Sequence, residues 1–294
     1  MGSNVGVSVV IPTYNAEEFI SLQLEALLKS SVLPDEIIVS DNGSTDRTPS
    51  IVAEWEQKST LIRRADSSSQ RGVSHARNLG CSQAGGKFLL VCDADDIVAP
   101  TWAEAMVDAL ADADLVGSGH QLLLFDEPSS SYQLGDINIQ QPQVFEGIPY
   151  VLGASMGFKR EVFEALEGFD LSYQAGHDEV DFCLRATTQG FQLGWVDKPL
   201  IHYRQRSSLT DLAGQMRNYG CTWVQLIMNF SPAFDHKLPS LKLMLRKVLL
   251  ALPGYLAKGQ RTREEIRGFW WNVGVLEGTL RYQVLRTLPQ RKLK

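Results

Sequence analysis

A strand pattern that ends in three carboxylates is the feature that most constrains the fold of this chain. Residues 87–96 read Lys-Phe-Leu-Leu-Val-Cys-Asp-Ala-Asp-Asp. An apolar run of this length needs cover on both faces of a sheet, so its polar end should project at the carboxyl edge, where open α/β sheets bind ligands. Two carboxylates one residue apart, Asp93 and Asp95, suit a hard divalent cation, Mg²⁺ or Mn²⁺, of the kind that accompanies a diphosphate. The pattern therefore favours an enzyme that acts on a nucleotide diphosphate.

Strand and helix patterns alternate along most of the chain. Strands are predicted at residues 5–11, 36–40, 61–64, 88–92, 115–117, 154–159, 193–196 and 200–203. Helices are predicted at residues 16–29, 46–58, 73–81, 100–111, 161–166 and 179–188. Strands separated by helices of this length predict an α/β fold with a mostly parallel central sheet and right-handed crossovers. Residues 119–150 are rich in Gln, Ser, Pro and Gly without a sustained period, and we expect either a long excursion or a short hairpin, of the kind that shapes a substrate pocket.

The cysteines and the hydropathy pattern indicate the compartment. The four cysteines stand far apart with no Cys-x-x-Cys pair, which favours small core residues in a reducing compartment over disulfides or metal ligands. The first strand begins without a basic leader, and an uninterrupted apolar stretch of about 18 residues is lacking. We therefore expect a cytoplasmic protein, either free or peripheral at the inner face of the membrane.

Charge is divided unevenly along the chain. Residues 1–235 carry 15 Lys and Arg against 31 Asp and Glu, a balance of −16, whereas residues 236–294 carry 13 against 3, a balance of +10. A basic tail on an acidic body should be drawn to anionic surfaces. Nucleic acid is disfavoured as a partner because the larger part of the chain is strongly acidic.

The C-terminal part is predicted to be helical from Leu209 onward. The helical pattern is interrupted at Pro232, Pro239 and Pro253. Two segments, 238–258 and 266–288, place leucines and tryptophans beside Lys and Arg. Such faces can lie on an anionic membrane leaflet. The alternative is that these helices pack on the rest of the chain or on a second subunit.

Two further strands end on groups suited to a nucleotide. The run Val9–Asn15 ends in a turn whose Tyr14 offers an aromatic face to a nucleobase, or is an ordinary turn with Asn15 as helix cap. The second strand ends at Asp41, where a carboxylate can accept a hydrogen bond from a base imide or a ribose hydroxyl. The chain has no Gly-x-Gly-x-x-Gly after its first strand and no Gly-Lys-Ser/Thr loop. A dinucleotide oxidoreductase and a phosphate-loop nucleotidase are therefore disfavoured.

Three sequence blocks occur in order along the chain. They are Val-Val-Ile-Pro-Thr-Tyr-Asn at 9–15, Ile-Ile-Val-Ser-Asp-Asn-Gly-Ser-Thr-Asp at 37–46, and Ala-Arg-Asn-Leu-Gly at 76–80, before the Asp-Ala-Asp strand. Together they resemble a family 2 glycosyltransferase with the GT-A fold, over residues 5–205. The resemblance implies a nucleotide-sugar-binding and catalytic domain at 1–205 and a helical extension at 206–294.

The resemblance also implies roles for residues of the donor site. By it, Asp41 binds the base, Tyr14 stacks on the base and Pro12 lines the pocket. Asp93 and Asp95 are the nucleotide-sugar and metal aspartates, with Asp95 as the direct metal contact.

The resemblance also implies a basic residue that meets the diphosphate, in the segment before the helix that contains Asn78. Two residues compete for this role. Arg71 is favoured, while Arg77 is the alternative and can equally be a helix-surface residue. His202, near the end of the last predicted strand, is either a third metal ligand, as the fold implies, or an ordinary surface or core histidine.

The catalytic base is expected at the start of the helix near residue 179. The family usually shows Glu-Asp there, with Asp as the base, whereas this chain has the reverse order, Asp178-Glu179. The order puts Glu179 in the base position, with similar acidity and one more methylene. Asp178 is the competing base, or an N-terminal cap stabilised by the helix dipole. Asp181 is expected to be structural.

The resemblance implies a function in polysaccharide, glycolipid or glycoconjugate synthesis. The expected reaction is metal-assisted, inverting transfer of a sugar from a uridine or deoxythymidine diphosphate donor, with guanosine left open, to a saccharide or lipid-linked acceptor. One alternative is a catalytically inactive sugar-nucleotide-binding module, which the inverted Asp-Glu order suggests. The other is a sugar-nucleotide nucleotidyltransferase, which usually needs a Gly-rich basic loop that Pro12–Asn15 lacks.

Overall fold

The computed structural model describes residues 6–125, 132–173, 176–204, 208–230 and 238–293. These residues form two compact units, the first within Met1–Leu171, Glu179–Gln205 and Leu293–Lys294, the second within Ser172–Asp178 and Arg206–Lys292. Parts of the sequence-based predictions fall on Val5, 126–131 and Pro232, which lie outside the described residues.

Eleven strands and nine helices are found among the described residues. The strands are β1 (Val7–Thr13), β2 (Glu36–Asp41), β3 (Ile62–Asp66), β4 (Phe88–Val91), β5 (Ile97–Val98), β6 (Leu115–Phe125), β7 (Tyr132–Ile139), β8 (Gln143–Phe145), β9 (Ile148–Tyr150), β10 (Met156–Lys159) and β11 (Leu193–Arg204). The helices are α1 (Ile20–Leu28), α2 (Thr48–Lys58), α3 (Val73–Gln83), α4 (Trp102–Ala109), α5 (Arg160–Ala165), α6 (Asp178–Thr188), α7 (Leu209–Phe230), α8 (Leu241–Ala257) and α9 (Arg263–Gly278). A 3₁₀ turn at Gly153–Ser155 and a π-helical turn at Thr279–Val284 complete the described elements.

The first unit is built on one mixed sheet. Its strand order is β3-β2-β1-β4-β10-β6-β11-β5, and β7 pairs with β6 beside this path. The pairs β1–β2, β1–β4, β2–β3 and β6–β11 are parallel. Strands β10, β5 and β7 run antiparallel to their neighbours. The predicted α/β fold with a mostly parallel sheet and C-terminal helices is confirmed.

The apolar runs of the central strands are buried on both faces of the sheet. In β1, Val9 and Ile11 join one core cluster while Val10 joins another. In β4, Leu90 faces the first cluster and Leu89 the second. Successive side chains of a strand point to opposite faces, so a strand covered on both sides reads as a continuous apolar run. This burial explains why the strand signal before the carboxylates is so strong.

The stretch 119–150 is more regular than its sequence predicts. Strand β6, predicted at 115–117 alone, continues to Phe125 and pairs with β7, and β8 and β9 form a separate hairpin. The β6–β7 register shifts around Gln121, which breaks the alternation by which a strand is recognised in sequence. Likewise, β11 is a single strand, whereas the sequence predicts two. Its register against β6 shifts on both sides of Pro199, and this irregularity interrupts the strand pattern in the sequence. The two-residue strand β5 was missed.

His120 on β6 gives the first unit a pH-dependent stability. The side chain is fully buried, its ring packs edge-on to Tyr203 at 6.2 Å between centroids, and neither ring nitrogen has a hydrogen-bond partner among the described residues. Burial lowers the pKa of His120 from 6.5 to about 4. The unfolded chain therefore binds a proton below pH 6.5 that the folded chain does not bind until about pH 4, so stability falls as the pH falls through this window.

We expect the His120→Leu variant to lose less stability on acidification than the native chain. Relative to the variant, the native chain should lose about 3 kcal/mol more of its free energy of unfolding at pH 4, and nothing extra above pH 7. The reason is that the variant lacks a group whose pKa falls by about 2.5 units on folding, at 1.36 kcal/mol per unit. Urea unfolding of both proteins at a series of pH values measures it. Parallel pH profiles for the two proteins would contradict the buried, neutral state of His120.

The second unit contains α7, α8 and α9. Helices α7 and α9 approach closely because glycines lie at the contact: a Cβ at Gly220 would collide with the Trp271 carbonyl oxygen, and one at Gly274 with that of Arg217. Thr262 and Glu265 form a capping box at the start of α9. Pro253, predicted as an interruption, lies inside α8. Among the described residues, no helix is both long enough and apolar enough to cross a membrane.

Candidate active site

The carboxyl ends of three adjacent parallel strands meet at one edge of the sheet. Thr13 of β1 lies opposite Asp41 of β2 in the register. On the other side of β1, Cys92 at the end of β4 donates its backbone N–H to the carbonyl oxygen of Val10 at 3.3 Å. Asp93 follows at once, so Tyr14, Asp41 and the acidic turn all leave the sheet at this edge. Such an edge is where open α/β sheets bind ligands.

Three carboxylates lie together in the turn after β4. One oxygen from each of Asp93, Asp95 and Asp96 lies within 4.8 Å of the other two. Asp96 is buried, and its Oδ1 accepts the backbone N–H of Arg204 at 2.9 Å. Burial, and then the charges of Asp95 and Asp93, raise the pKa of Asp96 well above its usual range. Hard oxygen donors crowded in this way fit Mg²⁺ or Mn²⁺, whose charge would offset their repulsion.

Gln23 holds both ends of the acidic turn. This α1 side chain is fully buried; its Nε2 donates to the carbonyl oxygen of Asp93 at 3.0 Å, and its Oε1 accepts the N–H of Val98 at 3.0 Å. The two bonds fix the backbone on either side of Asp95. No sequence signal marks this residue, because it stands among the apolar residues of an ordinary helix pattern.

Arg77 is a buried partner of the acidic turn. Its side chain is only 5% exposed, and Nη2 lies 3.3 Å from Oδ1 of Asp93. The guanidinium also lies over the ring of Phe169, with Cζ 5.6 Å from the centroid. A Cβ at Gly153 would collide with this guanidinium, so the glycine makes room for it. The alternative that Arg77 is a helix-surface residue is therefore wrong, because α3 turns it inward.

Tyr14 and Arg71 form an exposed pair beside β1. The Tyr14 ring is 46% exposed, and Arg71 Nη1 donates to its hydroxyl at 3.4 Å, with Cζ 5.3 Å from the ring centroid.

Pro12 is buried at the end of β1. Asp41 is buried, and its Oδ1 accepts the N–H of Ser44 at 2.9 Å. This bond orients the carboxylate.

Asn15 and Asn42 tie the loops of this edge together. Asn15 has a left-handed backbone, φ 49°, and its Oδ1 accepts the N–H of Thr45 at 2.8 Å. Asn42 donates through Nδ2 to the carbonyl oxygens of Ser67 at 2.6 Å and Gln70 at 2.8 Å. Its Oδ1 accepts the N–H of Gly72 at 2.8 Å, beside Arg71. The amide of Asn42, a residue whose role no sequence signal indicates, thus positions the segment that carries Arg71.

Helix α6 presents the two candidate bases differently. Asp178, its first residue, is 1% exposed, whereas Glu179 is partly exposed. The pKa of Tyr150 is raised by burial and further by the negative charge of Glu179. Asp181 is fully buried and accepts from Arg185 Nε at 2.7 Å, as is expected of a structural residue.

His202 lies on β11, opposite Ile97 of β5 in the register. Burial lowers its pKa below 6.5, and its Nδ1 is buried with no hydrogen-bond partner among the described residues. A neutral imidazole with a free nitrogen is the form that binds metals. His202 does not belong to the group of three carboxylates, and its role as a ligand stays a prediction.

Comparison with known proteins gives the family. The family described as glycosyl transferase family 2 matches residues 8–167, which is more than half of the chain. The chain belongs to glycosyl transferase family 2. The match contains the strand ends, the Tyr14–Arg71 pair and the acidic turn, and stops before α6.

Several curated members of family 2 are similar in sequence. The putative glycosyltransferase EpsH of Bacillus subtilis is 28% identical over 208 residues, which are 67% of this chain and 60% of EpsH. The glycosyltransferase GlyG of Streptococcus pneumoniae is 32% identical over 112 residues, 37% of each chain. This chain thus matches less than two thirds of the length of either relative.

Solved structures show the same fold. A mannosyltransferase of Pyrobaculum calidifontis, PcManGT, in complex with GDP-Man and Mn²⁺, superposes with a TM-score of 0.65 at 20% identity, covering 96% of this chain and 88% of that one. TarS of S. aureus (residues 1–349), in complex with UDP-GlcNAc, superposes with a TM-score of 0.55 at 17% identity, covering 95% and 92%. Both likenesses concern the architecture, which is the predicted GT-A type.

Proposed function

We propose that this protein is a metal-dependent, inverting glycosyltransferase that moves a sugar from a nucleotide diphosphate to an acceptor hydroxyl. The observation that carries the proposal is the meeting of Asp41, Tyr14 and the Asp93–Asp96 turn at one sheet edge of a family 2 fold. We assign donor binding and catalysis to residues 1–205 and regard 206–294 as an extension.

The nucleotide is assigned to the ends of β1 and β2. The second carboxylate oxygen of Asp41 accepts a base N–H, the exposed ring of Tyr14 stacks on the base, and Pro12 lines the pocket. Arg71, an exposed cation held beside Tyr14, meets the diphosphate. Buried Arg77 instead holds Asp93, which is the nucleotide-sugar aspartate in this proposal.

The acidic turn is assigned to a divalent cation. Asp95 is the direct ligand, and the crowded oxygens suit Mn²⁺ or Mg²⁺. Nδ1 of His202, which has no hydrogen-bond partner in the described part of the chain, supports His202 as a further ligand. A cation bound there would neutralise the negative charge that develops on the departing diphosphate. Gln23 and Arg77 keep Asp93 and the turn in place without reorganisation.

Glu179 is assigned as the general base. It is partly exposed, whereas the competing Asp178 is almost wholly buried. The Glu179 carboxylate takes the proton of the acceptor hydroxyl as that oxygen attacks the anomeric carbon. With one base and no covalent nucleophile the displacement is single, so the anomeric configuration inverts.

Donor and acceptor are proposed by class. The similar structures contain UDP-GlcNAc and GDP-Man, so both uridine and guanosine donors occur on this architecture. We favour a uridine or deoxythymidine donor, with a saccharide or lipid-linked acceptor, in polysaccharide, glycolipid or glycoconjugate synthesis.

A donor panel tests the proposal. Thermal unfolding of the full chain is measured with uridine, deoxythymidine and guanosine diphosphate sugars, each with Mn²⁺ and with EDTA. One base class should stabilise the protein only with Mn²⁺, by about 2.7 kcal/mol at 100 times the dissociation constant. NMR of the product should show the inverted anomer.

Two results would favour the alternatives. Donor binding without transfer or hydrolysis would indicate an inactive binding module. Release of pyrophosphate from a nucleoside triphosphate and a sugar phosphate would indicate a nucleotidyltransferase.

A further inference from the structure

Helix α8 of the second unit leaves most of its leucines in solvent. Met244 is its buried residue, and Val248 and Tyr255, on the same side, are half-buried. Five of its seven leucines are between 45% and 70% exposed, namely Leu243, Leu245, Leu249, Leu250 and Leu256. Single exposed leucines are normal on a protein surface, but five on one helix of 17 residues mark an interaction surface.

The same helix is purely cationic. Lys242, Arg246 and Lys247 are exposed, and α8 contains no Asp or Glu. Among the described residues, none of these three cations forms an ion pair. The charge of the surrounding segment, +10 over residues 236–294, has the same sign. A partner of this helix must therefore be apolar and anionic at once.

An open groove lies beside α8. It has a volume of about 530 Å³ and is lined by Trp223 of α7, Trp271 of α9 and, from α8, Leu243 and Leu250. The two indole rings lie 6.0 Å apart between centroids. Arg246 and Lys247 line the same groove. An acyl chain fits the apolar lining, and the two cations are placed to contact a phosphate headgroup.

We propose that α8 and this groove, together the α8 surface, dock on an anionic lipid bilayer. The exposed leucines and the groove tryptophans enter the boundary between headgroups and acyl chains. Lys242, Arg246 and Lys247 contact anionic headgroups, each increasing partition about fivefold.

A second copy of the chain is a poorer occupant of the α8 surface. A twofold contact places the same patch of both subunits face to face, so Lys242, Arg246 and Lys247 would meet the same cations of the other copy. The helix has no acidic residue to pair with them. A bilayer with anionic lipid satisfies the apolar and the cationic side chains together.

Vesicle flotation of the full chain tests the inference. Vesicles of phosphatidylcholine alone are compared with vesicles of equal parts phosphatidylcholine and phosphatidylglycerol. The native protein should float with the anionic vesicles and remain unbound with the neutral ones. The double variant Arg246→Glu with Lys247→Glu should lose on the order of 25-fold in partition from the missing attraction alone.

Matched variants distinguish binding through the α8 surface from a general effect of the protein's net charge. Lys87→Glu with Lys198→Glu makes the same charge change at exposed sites of the first unit and should leave flotation unchanged. Leu250→Glu, at the most exposed leucine, should abolish binding, as well as the quenching of tryptophan fluorescence by lipids with brominated acyl chains. All these side chains are exposed, so thermal unfolding in solution should not change.

Three outcomes would overturn the inference: equal flotation of all the variants, no flotation of the native protein, or equal binding to neutral vesicles. A native dimer that Leu250→Glu converts to a monomer, with no vesicle binding, would instead assign the α8 surface to a second copy.

Discussion

Asp95→Asn is expected to lower kcat/KM by on the order of 10³, because a divalent cation at a departing diphosphate supplies several kcal/mol of transition-state stabilisation. Asparagine keeps the size of the side chain but removes the charge that attracts the cation. The dependence of rate on Mn²⁺ should shift to much higher concentrations in the variant. Initial rates over a Mn²⁺ titration, together with calorimetry of Mn²⁺ binding, measure both effects.

Asp112→Asn is the matched control for this variant. Asp112 is exposed beyond the end of α4, and its substitution changes the charge of the chain by the same amount. Its rate and its Mn²⁺ dependence should equal those of the native chain. An Asp95→Asn enzyme with native rates at low Mn²⁺ would remove Asp95 from the metal site.

Glu179→Gln is expected to lower kcat by about 10² to 10⁴ while donor affinity stays unchanged, because only proton removal from the acceptor is lost. Asp178→Asn should affect stability more than turnover, since the side chain is almost wholly buried. Steady-state kinetics and thermal unfolding of both variants give the comparison.

Glu164→Gln, an exposed position on α5, serves as the control for the loss of one carboxylate. If Asp178→Asn lost turnover at an unchanged melting temperature while Glu179→Gln stayed active, Asp178 would be the base.

The parts of the site that sequence predicts are those encoded locally. Each central strand is an apolar run followed by a polar residue, and parallel strands bring their carboxyl ends to one edge. From this rule alone Asp41 and Asp93 could be placed at the same edge, and the register of β1 with its neighbours agrees. The roles of these residues stay predictions.

The parts that sequence does not predict depend on distant partners. Gln23 contacts residues 70 and 75 positions further along the chain, so no local pattern marks it. The helical pattern alone allows Arg77 to be a surface residue, and only its contacts with the distant Gly153 and Phe169 show that it is buried. In the same way, β11 was divided in two because Pro199 breaks its pattern, while pairing with β6 keeps it one strand.

The amide of Gln23 has a consequence for engineering donor preference. Grafting the segment 93–98 from a relative would exchange the proposed metal ligands, while the native Gln23 would have to bond to the backbone of the grafted segment. A chimaera should therefore also carry, at position 23, the residue of the relative from which the segment was taken. For the same reason, the residue at position 23 and the sequence of the turn should covary among proteins that descend from one ancestor.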